Sequence, residues 1–171
     1  GEGFHIRAGG PHAEVHALRM AGPQARGATA YVTLEPCAHY GRTPPCALAL
    51  IEAGVARVVC ALGDPFEKVA GGGFALLRQA GIVVEVGLME AAARETNIGF
   101  LTRVERGRPF VRIKLAASLD GRTAMADGSS KWITAAAARE DVQQWRARAG
   151  AVLTGAGTVL ADDPRMNVRL D

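Results

Sequence analysis

Short apolar runs and helical patterns alternate along the first hundred residues of the chain. Runs rich in β-branched residues, typical of strands, occur at 29–34, 55–62 and 82–86. Helical patterns separate them at 46–53 and 74–80, and each is followed by a glycine that suits a helix end. This order, strand–helix–strand–helix–strand, predicts an α/β fold with a largely parallel sheet.

Two further helical patterns flank this region, at 12–21 and 88–101. A charged stretch interrupted by Gly107 and Pro109 then predicts a domain boundary. We therefore expect a first domain over residues 1–104, a linker over 105–109 and the start of a second domain over 110–171.

The second region opens another α/β unit by its pattern. We predict a strand at 110–116, a helix at 135–149 with Thr134 as its N-cap, and a second strand at 151–154. Gly150 separates the helix from the second strand and is a typical helix-ending residue.

Composition refines this picture and excludes some functions. Hydrophobic residues make up 49% of the chain and aromatic residues only 5%, so the core should be aliphatic. The net charge of +3 comes from scattered basic residues, which gives no indication of nucleic-acid binding. No apolar run reaches the roughly twenty residues of a membrane span. Three cysteines without a signal peptide favour a reducing, cytoplasmic location over a disulfide framework.

Candidate chemistry is concentrated between His12 and Cys46. His12, Cys37 and Cys46 offer one nitrogen and two sulfur ligands, which zinc prefers, and three protein ligands leave one position open as in catalytic sites. Glu14 follows two residues after the histidine, where it would move protons without binding the metal. These residues predict a zinc deaminase site.

Some of these residues are open to other interpretations. Cys37 and Cys46 are also compatible with buried free thiols, since free cysteine is often buried, and Cys60, in an apolar run, is expected to pack in the core. A zincin motif is excluded because Ala13, not glutamate, follows His12. We leave His5 and His16 out of the metal site because the three-ligand set is already complete.

Several motifs together resemble the bifunctional deaminase-reductase family of riboflavin biosynthesis. In the first region they are GEGFH at 1–5, PHAEV at 11–15, TLEPC at 33–37, HYGRTPPC at 39–46 and AGV at 53–55. In the second they are KLAASLDG at 114–121, SKWIT at 130–134 and LADDP at 160–164. The eight residues between the two cysteines are more specific than a bare His-x-Glu pair.

The resemblance implies a cytidine-deaminase-like three-layer α/β/α domain, followed by the start of a dihydrofolate-reductase-like α/β domain. It implies hydrolytic, Zn²⁺-dependent deamination of 2,5-diamino-6-ribosylamino-4(3H)-pyrimidinone 5′-phosphate, with Glu14 as the proton shuttle. His39 and Arg42 would then contact the ribose phosphate of this small-molecule substrate, for which the planar guanidinium is suited.

For the second region the resemblance implies reduction of the ribosyl group to ribityl by NADPH. The matching positions are Lys114, Trp132, Thr134 and Asp162 for the cofactor, with Ser130, Arg146 and Arg169 for the substrate. Two departures from the family pattern are Ala135-Ala136 and Phe66-Glu67. The family pattern also extends beyond both ends, so we expect no competent reductase from these residues alone.

Two other functions stay open at this point. A deaminase of another nucleobase or nucleoside would share the zinc ligands but should carry a short Cys-x-x-Cys motif. A non-catalytic zinc module would need a fourth ligand, from His5 or His39, and would leave Glu14 without a role. We also expect a homo-oligomer, on family grounds alone.

Overall fold

Three short parallel strands lie at the centre of the first part of the chain in the computed structural model, which describes residues 1–170. They are β1 (Thr29–Val32), β2 (Arg57–Cys60) and β3 (Val83–Val86). The sheet order is β1-β2-β3 and both pairs are parallel, so the predicted parallel sheet is confirmed. All three strands are shorter than their apolar runs, because only four residues of each pair with a neighbouring strand.

Helices connect and follow these strands. They are α1 (Ala13–Ala21), a 3₁₀ helix (Gly22–Ala25), α2 (Cys46–Glu52), α3 (Gly72–Gln79), α4 (Glu90–Thr96) and α5 (Ile98–Arg106). The single helix predicted over 88–101 is wrong, because α4 and α5 meet at Asn97, whose φ of −102° and ψ of 14° interrupt the helical backbone. The Asn97 side chain donates a hydrogen bond back to the Ala93 carbonyl, which closes α4.

The core of this part is aliphatic, as its composition predicts. One cluster joins the sheet to α2 and α3 and consists of Ala47, Leu50, Val55, Val58, Leu77 and Ile82. A second contains Ala61, Leu62, Ala93 and Leu101. Cys60 is fully buried, which confirms its predicted place in the core. Its thiol donates to the Leu62 carbonyl, and burial raises the pKa of this thiol to about 12.

The second part contains two helices, α6 (Ala136–Ala147) and α7 (Ala156–Asp162). The strands predicted at 110–116 and 151–154 are wrong for the residues that the structure describes, since neither run forms a β-strand there. Thr134 is not the N-cap of α6 either. Ala135 occupies that position, while the Thr134 carbonyl accepts a hydrogen bond from Arg139.

The chain divides into two compact units, Gly1–Phe110 and Val111–Asp171. The helix α5 ends at Arg106, four residues before this division. Among residues 1–170, no helix has both the length and the apolar character needed to cross a membrane.

Candidate metal centre

Three elements of the first unit bring the predicted ligands together. His12 is the N-cap residue of α1, Cys37 lies in the loop after β1, and Cys46 is the first residue of α2. This loop leaves the carboxyl end of β1, which is where open parallel sheets place their ligand sites. The fold therefore gathers residues that are 34 positions apart in the sequence.

The spacing of the three candidate ligand atoms is compatible with a tetrahedral zinc site. The His12 Nδ1 atom lies 3.6 Å from the Cys37 Sγ atom and 3.4 Å from the Cys46 Sγ atom. All three atoms lie within 4.8 Å of one another. Tetrahedral zinc with bonds of about 2.3 Å to sulfur and 2.0 Å to nitrogen would set nitrogen and sulfur about 3.5 Å apart. The donor set and its spacing therefore fit Zn²⁺.

The two thiols differ in their affinity for a proton. The pKa of Cys37 is lowered to about 5, chiefly by its hydrogen bond with the Cys46 thiol and further by the Cys46 backbone N–H and by His12. The Cys46 N–H lies 3.3 Å from the Cys37 Sγ atom. The pKa of Cys46 is raised by the same thiol pair and by burial. Cys46 thus keeps its proton while Cys37 loses one, because two adjacent thiolates would repel each other. A bound divalent cation would relieve that repulsion.

Glu14 lies on the first turn of α1, next to this group but outside it. Its carboxylate contributes to raising the pKa of Cys46, which shows that the two side chains are close. Glu14 is half-buried, so its side chain is only partly exposed to solvent.

A cavity of about 260 Å³ opens beside the candidate ligands. Its lining consists of His5, Gly9, Gly10, His12, Cys37, His39, Gly41, Arg42 and Thr43. The structure therefore brings His39 and Arg42, both predicted to bind substrate, to the same cavity as two of the ligands. The His39 Nδ1 atom is buried and has no hydrogen-bond partner among the described residues. His5 packs edge-on against the His12 ring, with centroids 5.3 Å apart.

In the second unit, two of the predicted substrate residues meet. The Arg146 guanidinium donates to the Arg165 and Asn167 carbonyls, and the Arg169 guanidinium donates to the same two carbonyls. The Arg169 backbone N–H also donates to the buried Gln143 side chain of α6. The two guanidinium groups are thus held close together.

The remaining predicted residues of this unit do not converge in the same way. The Arg139 guanidinium lies 4.6 Å from the centre of the exposed Trp132 ring. Lys114, Ser130 and Asp162 are exposed, and Thr134 is half-buried. None of these lines the cavity of about 480 Å³ formed by Ser118, Arg122, Ala124, Met125, Ala126 and Ile133. Their roles toward NADPH and substrate stay predictions.

Two family models match the chain, one in each unit. Residues 1–62 match the cytidine and deoxycytidylate deaminase zinc-binding region, which includes all three candidate ligands. Residues 109–171 match the RibD C-terminal domain. The riboflavin biosynthesis protein RibD of Escherichia coli is 63% identical over 169 residues, and that of Haemophilus influenzae is 61% identical over 171. The chain belongs to the RibD family.

Solved structures of the RibD family agree with this assignment. One form of Acinetobacter baumannii RibD is 64% identical and superposes with a TM-score of 0.91 over 99% of this chain and 48% of that one. A Thermotoga maritima protein described as a diaminohydroxyphosphoribosylaminopyrimidine deaminase/5-amino-6-(5-phosphoribosylamino)uracil reductase is 44% identical, with a TM-score of 0.88 over 98% of this chain and 48% of that one. The E. coli and H. influenzae alignments cover 99% and 100% of this chain but 46% of each relative, so the chain spans about half their length. Its fold is accordingly a cytidine-deaminase-like α/β domain followed by a region that matches the RibD C-terminal domain.

Sequence reasoning missed one buried residue of this RibD-family site. Glu35 precedes the candidate ligand Cys37 by two positions, and its carboxylate is buried. In the sequence, Glu35 stands out only as one letter of the TLEPC motif. The available signal was that Glu35 is an acidic residue between an apolar run and a proline. Acidic side chains are almost never fully buried without partners, so burial of this residue would have required hydrogen-bond donors around it.

Proposed function

We propose that the first unit is a zinc-dependent deaminase of riboflavin biosynthesis. Its substrate would be 2,5-diamino-6-ribosylamino-4(3H)-pyrimidinone 5′-phosphate. The observation that carries this proposal is the His12, Cys37 and Cys46 group, whose atoms lie within 4.8 Å of one another beside a cavity. The description of the T. maritima relative, which names a deaminase of this chemistry, supports the same substrate class.

The roles of the residues at this site follow from their chemistry. His12, Cys37 and Cys46 would hold Zn²⁺, which supplies Lewis-acid activation of water near neutral pH. The Glu14 carboxylate would accept a proton from the attacking water and deliver protons to the ring nitrogen and then to the leaving amine. Its position on the first turn of α1, next to Cys46, suits this transfer.

The loop between the two cysteines would hold the substrate. Arg42 lines the cavity, and its planar guanidinium can bind two oxygens of a phosphate. His39 lines it too, and the unpartnered Nδ1 atom would meet a hydroxyl or phosphate oxygen of the ribose phosphate. The cavity of about 260 Å³ would enclose part of such a substrate rather than all of it.

For the second unit we propose the first portion of an NADPH-dependent reductase of the ribosyl side chain. Lys114, Trp132, Thr134 and Asp162 would bind NADPH, and Ser130, Arg146 and Arg169 would bind the substrate. The match of residues 109–171 to the RibD C-terminal domain supports this assignment. The deaminase domain would then span residues 1–104, the linker residues 105–109 and the portion of the reductase domain residues 110–171.

The partners, cellular location and oligomeric state are proposed from the relationship to the RibD family. The partners would be small molecules, with no nucleic acid or membrane involved. The protein would act in the cytoplasm as a homo-oligomer.

The deciding experiment combines metal analysis with ammonia release in the intact protein and its Glu14→Gln variant. We expect one zinc per chain in both, and a fall in turnover of about 10²–10⁴-fold in the variant, the usual contribution of a proton-transferring group. Glu52→Gln is the matched control, because Glu52 is exposed at the other end of α2 and should leave turnover unchanged. Undiminished ammonia release by Glu14→Gln would contradict the role of Glu14. Zinc without ammonia release by the unmodified protein would contradict this substrate.

A further inference from the structure

The buried carboxylate of Glu35 is unusual in the number of hydrogen bonds that it accepts. Its Oε1 atom accepts from the Gly73 and Phe74 backbone N–H groups, at 2.9 and 3.2 Å. Its Oε2 atom accepts from the Gly71 and Asp64 N–H groups, at 3.0 and 3.2 Å. A carboxylate without a proton offers about four acceptor positions, and here four donors occupy them. The side chain is only 4% exposed, so these bonds replace water.

These bonds fix the start of α3 to the segment that carries Cys37. Gly71 is the N-cap residue of α3 and has no side chain with which to bond the first backbone N–H groups of the helix. Glu35 bonds them instead, from a position 36 to 39 residues earlier in the sequence. The Glu35 backbone N–H donates in turn to the Leu62 carbonyl, just after β2.

The contact with α3 reaches both neighbours of Cys37. A Cβ atom on Gly73 would lie 1.9 Å from the Pro36 carbonyl oxygen, so the two backbones touch directly. A Cβ atom on Gly72 would lie 3.4 Å from the Ala38 Cβ atom. Pro36 itself is fully buried. The backbone on each side of Cys37 is therefore packed against α3, while the Sγ atom points to His12 and Cys46.

We propose that Glu35 is a positioning residue that fixes Cys37 for metal binding by tying its loop to the start of α3. The inference rests on the proposed function, because it concerns the same site. Replacement of a residue that orients a metal ligand without contacting the metal commonly lowers metal affinity about 10–100-fold. A residue that served only general stability would not alter the environment of the bound metal.

The replacement Glu35→Gln tests this role with little change in shape. In either orientation of the amide, an NH₂ group faces two backbone N–H donors, so two of the four hydrogen bonds are lost. We expect zinc affinity, measured by competition with a chelator in the intact protein, to fall about 10–100-fold. In Co²⁺-loaded protein, the thiolate-to-metal absorption should also change in intensity. Glu52→Gln, at the exposed end of α2, should change neither quantity.

Unchanged zinc affinity together with an unchanged Co²⁺ spectrum in Glu35→Gln would overturn the proposal. These measurements need no substrate, so they are independent of the deaminase assay. A protein that binds zinc through a Glu35-dependent site but releases no ammonia would refute the proposed function and leave this inference intact.

A second measurement applies even where Glu35→Gln does not fold. If Glu35 couples the start of α3 to Cys37, the coupling is reciprocal. Zinc binding to the unmodified intact protein should therefore slow hydrogen exchange at the Gly71, Gly73 and Phe74 amides more than at the exposed end of α2. Equal slowing at both places, or none at the start of α3, would overturn the proposal.

Discussion

In the first unit, β2 lies between β1 and β3, and Val58, Val59 and Cys60 are buried. In the second unit, the alternating run at 111–115 forms no β-strand among the described residues, and Val111, Ile113 and Leu115 are 71–80% exposed. Both segments carry β-branched residues in a pattern typical of strands. The difference lies in their neighbours, because strand hydrogen bonds are made between segments and cannot form within one.

The helices do not show this contrast between the units. An α-helix closes its backbone hydrogen bonds within the segment, so α6 forms although Gln143 is its one buried residue. In α7 no residue is buried, yet the helix is present. Patterns for helices are therefore realised in both units, whereas patterns for strands are realised only where partners exist. Three comparisons of matched residues test how far the two units differ.

The largest difference is expected between two leucines. Leu77 of α3 is 0% exposed and belongs to the main core cluster, whereas Leu153 of the second unit is 98% exposed. Leu77→Ala should lower the free energy of unfolding by about 2–5 kcal/mol, through lost burial and the cavity left behind. Leu153→Ala should change it by no more than about 0.5 kcal/mol. Urea unfolding of the intact protein measures both, and equal effects would contradict the contrast in burial.

An intermediate difference is expected between two glycines. A Cβ atom on Gly73 would lie 1.9 Å from the Pro36 carbonyl oxygen, so Gly73→Ala should force the backbones apart and lower stability by about 1–3 kcal/mol. A Cβ atom on Gly157 of α7 would instead meet no heavy atom within 4 Å among the described residues outside its own stretch of helix. Gly157→Ala should be neutral or should stabilise by up to about 1 kcal/mol, since alanine favours helices.

Thermal unfolding of both glycine variants checks this second comparison. A Gly73→Ala protein that unfolds at the temperature of the unmodified protein would mean that α3 can move away from Pro36 at little cost. The close contact on which the role of Glu35 depends would then be weaker than the distances indicate.

The sequence predicted the parallel sheet and the meeting of His12, Cys37 and Cys46 for a physical reason. A continuous apolar run such as 55–62, which lies between two other predicted strands in the sequence, is typical of a central strand that is buried on both faces. Few other residues in this chain could supply nitrogen and sulfur ligands, so ligand chemistry alone restricted the choice of candidate metal ligands. The fold brings these three side chains within 4.8 Å of one another, while their role as zinc ligands stays a prediction.

What the sequence did not predict depends on contacts between distant segments. The four hydrogen bonds of Glu35 reach the 64–74 region, and no local pattern indicates such partners. The break at Asn97 was hidden because the apolar pattern continues through it from α4 into α5. The run at 110–116 has the right residues for a strand but belongs to no sheet among the described residues.

The smallest difference is expected between two aspartates that titrate in opposite directions. Burial raises the pKa of Asp64, in the loop that Glu35 holds, although the Phe66 N–H donates to its carboxylate. In the second unit, the Ser129 N–H donates to Asp127 and lowers the pKa of that exposed carboxylate. Carboxyl chemical shifts, followed by NMR across an acid titration, should place the Asp64 pKa above the ordinary aspartate value and the Asp127 pKa below it.

The two shifts have opposite consequences for stability. The charge on Asp64 destabilises the folded state most fully above its raised folded pKa; this penalty shrinks as the pH falls through that value and is absent below the unfolded pKa. Asp64→Asn should therefore raise the unfolding midpoint slightly at neutral pH but not in acid. Asp127 instead stabilises the folded state above its unfolded pKa, and that contribution is lost as the pH falls through the lowered folded value. If both aspartates titrate at the ordinary value, the Asp64 loop is as accessible to water as the Asp127 turn. The greater burial of the first unit would then be confined to its core and would not extend to this loop.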